Sequence, residues 1–397
     1  MSRTTSAGPG DVLQPDARAA FEILELGEAP NDLTDALSPP ERVGMKRFFL
    51  DSFVHGELDG ITTSLLVARG PTGELLAATA FSRMRLAMDC IAPMWLQRLA
   101  GAVRKAWPGF LQLDLLMFGL PASMADQETV FAPGLPDEAV AAIRKAFVAR
   151  SVELLRREKR TACVWKEFSP EVRPLWETAL REAGFLDFPS VPVSVQQVTW
   201  DSPEDYVRRL RSNYRRQLSL NTARALEAGL TVDLAPAFGS HVEEFHALYL
   251  QVLAHSKTRL ELLSPAFFHG LAADPRIRYL RATLKGQPVG GALCYVAPPD
   301  VLVFLYVGMD YSVMREIDLY FNLLHGIVGL ASECGVRQIR WGQTSPDAKG
   351  RMGAVLLPLS FAIRFRQSAL QLALPALGPV LFPRHTQIAR RVFGDKV

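Results

Sequence analysis

Segments whose apolar residues fall on every second position alternate along this chain with segments whose apolar residues recur every three or four, and this alternation limits the possible folds most. Thr62 to Ala68 and Glu74 to Arg83 read as strands around the turn Arg69-Gly70-Pro71-Thr72-Gly73, which predicts a hairpin. Phe21 to Leu26 and Phe110 to Phe118 are further candidate strands, and Ser38 to Phe53 a candidate helix. Asp137 to Lys159 reads as a long amphipathic helix, Ala162 to Phe168 as a strand, and Pro170 to Ala183 as a helix closed by Gly184. Val193 to Trp200 adds another strand. Such an order calls for a mixed sheet with helices on its faces; a bundle or a sandwich does not produce it.

A similar set follows. Asp201-Ser202-Pro203-Glu204-Asp205 opens a helix, with Ser202 as cap, Pro203 at the first turn and carboxylates at the positive end of the dipole. That helix is expected over Tyr206 to Ala228, ending at Gly229, and carries the densest positive charge in the chain. Strand Leu230 to Leu234, helices Val242 to Ala254 and Pro265 to Leu271, and strands Ile277 to Leu284, Val289 to Val296 and Val301 to Val307 come next. A helix from Leu319 stops at Gly335, and Val336 to Trp341 alternates like a strand with one buried face. No repeat is visible at the level of residues, yet two similar folds in tandem are expected.

At 397 residues the chain exceeds one core. We expect a disordered terminus over 1–17, a first domain over 18–200 and a second over 201–397 that carries most of the site. Hydrophobic residues are 49% and charged residues 21%, a globular composition, and a net charge of +3 leaves any basic patch local. Cys90, Cys163, Cys294 and Cys334 are widely spaced, without a CxxC pair, as buried thiols in a reducing cytoplasm would be. The terminus lacks the apolar core of an export signal. The apolar run Val355 to Phe382 contains Arg364, Arg366, Gln367, Gln371, Pro358, Pro375 and Pro379, which argues against an integral membrane segment. Sequences of the HExxH, GxSxG and Walker A types, and Cys/His clusters with metal spacing, do not occur, so no metal is expected.

The loop Gln343 to Arg351 leaves the carboxyl end of a strand, where α/β sheets usually hold ligands. The order of elements resembles the GNAT acyltransferase fold, and the tandem pair is similar to FemABX-like aminoacyltransferases and their GNAT-like relatives of the CelD type. The features that carry it are Arg211-Ser212-Asn213-Tyr214-Arg215-Arg216, the stretch Tyr249 to Phe268 and the stretch Gly342 to Gly353. The resemblance implies an α/β fold of two tandem GNAT-like domains, with mixed, mostly antiparallel sheets and helices on both faces. It also implies transfer of an acyl or aminoacyl group to the amine of a small molecule or peptide, by direct attack with general acid and base help. The alternative is a non-catalytic binding protein that keeps the fold.

Enzymes of this group that use acetyl-CoA usually carry Gln/Arg-x-x-Gly-x-Gly/Ala before a helix, where backbone N–H groups cradle the pyrophosphate. The loop Gly308 to Glu316 lacks that spacing, so the donor stays open between aminoacyl-tRNA and acyl-CoA as co-substrate, with no tightly bound cofactor. Amide formation needs a proton acceptor, an oxyanion donor and a proton for the leaving group. The candidates are Tyr306, Asp310 and Glu316, each with an ordinary alternative as core aromatic or solvated loop residue. His255, Lys257, Arg259, Gln343, Ser345, Lys349 and Arg351 are candidates for binding substrate. Arg211, Tyr214 and Arg215 are candidates for the donor, tRNA included, against the alternatives of an exposed amphipathic face or a membrane-surface contact. Asp318 reads as a helix cap.

Overall fold

The computed structural model describes residues 20–25, 43–56, 58, 60–87, 101–105, 112–122, 127–256, 262–383 and 390–394. In chain order the first part gives β1 (Ala20–Glu25), α1 (Arg47–Gly56), β2 (Thr62–Arg69), β3 (Leu75–Ala87), β4 (Gln112–Phe118) and β5 (Thr129–Phe131). It continues with α2 (Asp137–Arg157), β6 (Ala162–Phe168), α3 (Pro174–Glu182) and β7 (Leu186–Pro189). The middle of the chain gives β8 (Val193–Gln197), α4 (Pro203–Arg209), α5 (Ser212–Ala228), β9 (Leu230–Leu234), α6 (Val242–His255) and α7 (Pro265–Ala272). Then come β10 (Ile277–Leu284), β11 (Gln287–Ala297), β12 (Val301–Met309), α8 (Leu319–Glu333) and β13 (Gln338–Gly342). The chain closes with α9 (Pro346–Arg351), β14 (Val355–Leu357), β15 (Ser360–Phe365) and α10 (Ser368–Leu381).

One sheet runs β1-β2-β3-β4-β6-β15-β7, with β5 added to β3; the other runs β14-β8-β13-β12-β11-β10-β9. Each is antiparallel except for one parallel pair, β4 with β6 and β12 with β13. A single apolar core lies between them. In β2 the consecutive buried residues Leu65, Leu66, Val67 and Ala68 serve two cores in turn, because successive side chains leave a strand on opposite faces. Leu65 and Val67 face α1, α6, α7 and residues of β10 to β12, whereas Leu66 and Ala68 face α2 and α3. α1 and α7 approach closely, since a Cβ on Gly270 would lie 2.7 Å from Ser52 Oγ, and Ser264 Oγ donates to the Gly56 carbonyl at 3.0 Å.

The sheets do not divide the chain at residue 200. β8, expected as the last strand of the first domain, pairs with β13 and β14, while β15, nearly at the other end, pairs with β6 and β7. The two crossings touch: Ser190 N–H donates to the Leu359 carbonyl at 2.8 Å. A second difference concerns the arginine-rich helix. It breaks at Leu210, whose extended backbone (ψ 141°) pairs with Phe393 in an isolated bridge, while Arg211 N–H donates to the Val392 carbonyl. The run Val355 to Phe382 becomes two strands and α10, and no helix of the described residues is long and apolar enough to cross a membrane.

Candidate functional site

β12 and β13 pair for three residues, from Val301 opposite Gln338 to Val303 opposite Arg340, and then part. Phe304 to Met309 keep β11 on one edge but have lost β13 on the other. The register of β12 against β11 shifts beside the parting: Leu293 faces Tyr306 and Cys294 faces Phe304, leaving Leu305 as a bulge. A wedge therefore opens in the second sheet, between β13 and the part of β12 beyond Val303.

Lys349 closes that wedge. α9 carries it inward, and its side chain is 1% exposed. A Cβ on Gly342, which has φ +78°, would lie 3.8 Å from Lys349 Nζ and 3.9 Å from the Phe304 carbonyl oxygen. The ammonium sits 5.6 Å from the centre of the Phe304 ring, a favourable but weak partner. Removal from water pushes its pKa down to about 7, because burial disfavours the charged form. A group of that kind exchanges a proton at neutral pH.

A cleft of about 450 Å³ lies on the side of the second sheet where Phe304 packs. Tyr206, Asn213, Tyr214, Asn221, Asp318 and Phe321 are among its walls, with Arg351 and Arg390 at its rim. Asp347 holds both arginines, Arg351 at 3.0 Å. Tyr214 bonds to Arg390, and Arg351 lies 5.8 Å over the Phe321 ring. Asp318 is not a side-chain cap: it stands in the left-handed region (φ 46°) at the head of α8, and its carboxylate accepts from Arg224 at 3.1 Å. In the orientation that satisfies its neighbours, the Asn221 amide also donates to Asp318, at 3.2 Å.

The residues expected from sequence fall in separate places. Lys349 is at the wedge; Tyr214 and Arg351 meet in the cleft. Tyr306 packs among Tyr249, Phe267 and Phe268 in the core between the sheets, the face of β12 away from Phe304 and Lys349. The bulge at Leu305 is the cause, because it turns the alternation by one residue. Asp310 Oδ1 accepts from the backbone N–H and hydroxyl of Ser312 at 2.8 and 2.7 Å, which fixes its own turn. Glu316 is exposed in the same connection. Gln343 donates to the Val191 carbonyl at 2.8 Å, tying the loop to the sheet crossing.

Ser345, with φ 50°, bonds to the hydroxyl of Tyr320, whose pKa burial pushes up to about 12. His255 stacks flat on Tyr311 at 3.8 Å; Lys257 and Arg259 lie outside the described residues. Arg211 and Arg215 do not line the cleft, and Arg215 turns back to the carbonyls of Arg208 and Leu210. Asn221, Phe321 and Arg390 were not anticipated. Phe321 has the periodicity of a core residue, and Arg390 reaches the cleft only because the C-terminal segment folds back.

No described protein family and no curated protein sequence matches this chain. Solved structures do. FemX superposes with a TM-score of 0.53 over 88% of this chain and 99% of its own, at 12% identity. The C-terminal domain (DUF2156) of a putative lysylphosphatidylglycerol synthetase from Agrobacterium fabrum gives 0.51 over 91% and 96%, also at 12%. A protein of unknown function from Bacteroides thetaiotaomicron gives 0.50 over 88% and 100%, at 10% identity. The fold is the tandem GNAT-like one. It is α/β, with two mixed, mostly antiparallel sheets and helices on their outer faces.

Proposed function

We propose that the chain is an acyl- or aminoacyltransferase that forms an amide on the amine of a small molecule or peptide. The observation that carries this is the parted pair β12 and β13 with Lys349 buried at the wedge. In this reading the donor carbonyl lies along β12 beyond Val303, where backbone N–H groups meet the oxygen that becomes negative. The neutral form of Lys349 takes the proton from the attacking amine as the C–N bond forms. It returns that proton to the leaving oxygen or sulfur as the donor's bond breaks. Tyr214 and Phe321 offer rings for a base of the donor, and Arg351 and Arg390 offer charge for its phosphate. Aminoacyl-tRNA and acyl-CoA both satisfy that description.

The test is single-turnover transfer from radiolabelled aminoacyl-tRNA and acetyl-CoA to a panel of amines. We expect transfer from one donor, with kcat/KM rising with pH through about 7 as Lys349 loses its proton. Lys349→Ala should lower kcat at least a hundredfold, and Tyr214→Ala should raise the donor KM. Donor affinity that falls steeply with salt identifies tRNA, and a shallow dependence identifies the CoA ester. Binding of either donor without turnover would establish the binding-protein alternative instead.

A further inference from the structure

Asp318 lines the cleft from a backbone that is not free to turn away. It stands in the left-handed region (φ 46°, ψ 41°), which aspartate and asparagine accept more readily than other side chains do. Its neighbours Ile317 and Leu319 are buried, and the buried Asn322 amide donates to the carbonyls of Ile317 at 3.1 Å and Asp318 at 3.2 Å. Among the described residues that line the cleft, Asp318 is the one carboxylate, set among the amides of Asn213, Gln217 and Asn221. Its two donors, Arg224 at 3.1 Å and the Asn221 amide at 3.2 Å, both reach Oδ2; among the described residues none reaches Oδ1. The Arg224 side chain is 59% exposed, and an ion pair so open to water is weak.

The opposite charges of the cleft do not cancel each other. Arg351 and Arg390 are held by Asp347, Arg351 lies over the Phe321 ring, and Asp318 stands a turn before Phe321 at the head of α8. A ligand that fills the cleft therefore meets guanidinium groups and, separately, a carboxylate. Acetyl-CoA has phosphates for the former and no cation for the latter, whereas an aminoacyl ester of a nucleotide has a phosphate and an α-ammonium. The amine that suits Asp318 is not the attacking one. An amine must be neutral to attack, and a neighbouring carboxylate favours its charged form. The α-ammonium at Asp318 keeps its protons while the carbonyl carbon leaves the ester oxygen and joins the acceptor nitrogen, with Lys349 carrying the acceptor's proton to that oxygen.

We propose that Asp318 is a specificity-determining residue for the donor: it holds the α-ammonium of an aminoacyl ester and selects that class over plain acyl donors. This rests on the cleft holding the donor, as in the function proposed above. The probes are puromycin, an aminoacyl nucleoside whose amide link is not transferred, and N-acetylpuromycin, which lacks the cation. Both are titrated calorimetrically into the full chain at about pH 6, where an α-amine is protonated. We expect puromycin to bind at least tenfold tighter than its acetylated form. Asp318→Asn, which suits the same left-handed backbone, should remove the difference by weakening puromycin alone, and Arg224→Gln, which leaves the carboxylate in place, should preserve it. Binding of neither probe, equal binding of both, or a difference that survives Asp318→Asn or disappears in Arg224→Gln would overturn the proposal. Turnover reports separately on the transferase reading. An Asp318-dependent preference without transfer from any donor would uphold this assignment and remove that reading, whereas efficient transfer from acetyl-CoA, unchanged in Asp318→Asn, would do the reverse.

Discussion

Lys349 is an ionisable side chain placed where its charge is disfavoured, so stability and function should pull apart at that one position. Its pKa is near 7 when folded and 10.5 ordinarily, so between those values the unfolded chain holds more protons than the folded one. Stability should therefore rise as pH increases from about 7 to about 10.5 and gain nothing further from this group beyond. Lys349→Met keeps the volume and removes the charge: it should stabilise the protein at pH 7 by about 1–4 kcal/mol, abolish transfer and flatten that part of the pH curve. Urea titrations at several pH values measure all but the transfer. The position of Lys349 was legible in the sequence as a cation in a polar loop beyond a strand; its burial was not. Tyr306 shows the opposite failure. The residue was visible, but a one-residue bulge decided the face to which it points.

Among elements, the arginine-rich segment shows how a distant part of the chain overrules local preference. Nothing in Tyr206 to Ala228 forbids a continuous helix, yet it breaks at Leu210 because the C-terminal segment pairs there. Phe393 packs on the rings of Trp200 and Tyr206, with centroids 6.3 and 5.9 Å away. Phe393→Ala should cost about 3 kcal/mol. It should also loosen Arg390 from the cleft, visible as a raised donor KM alongside a lower melting temperature. The Ser202 cap, by contrast, needed only local chemistry: its hydroxyl accepts from Asp205 N–H at 3.2 Å, as expected.

For the whole molecule, the exchange of β8 and β15 makes each sheet depend on both parts of the chain. The core between the sheets draws residues from α1, β2 and β3 as well as α6, α7 and β10 to β12. Chemical unfolding should therefore be one transition, with tryptophan fluorescence and far-ultraviolet circular dichroism coinciding. A fragment ending at residue 200 lacks β15 between β6 and β7 and should not fold alone; two separate transitions, or a cooperative fragment, would contradict this. By itself the sequence determined the elements and their order, because apolar period, caps and glycine turns act over a few residues and are written where they act. The strands Leu230–Leu234 and Ile277–Leu284 and the hairpin of β2 and β3 follow from that alone. Only the tertiary structure decided which sheet each end of the chain joins, which face Tyr306 takes and that Lys349 is buried. The first depends on pairings across more than a hundred residues, and the second on a register shift between the neighbouring strands β11 and β12; no local pattern records either.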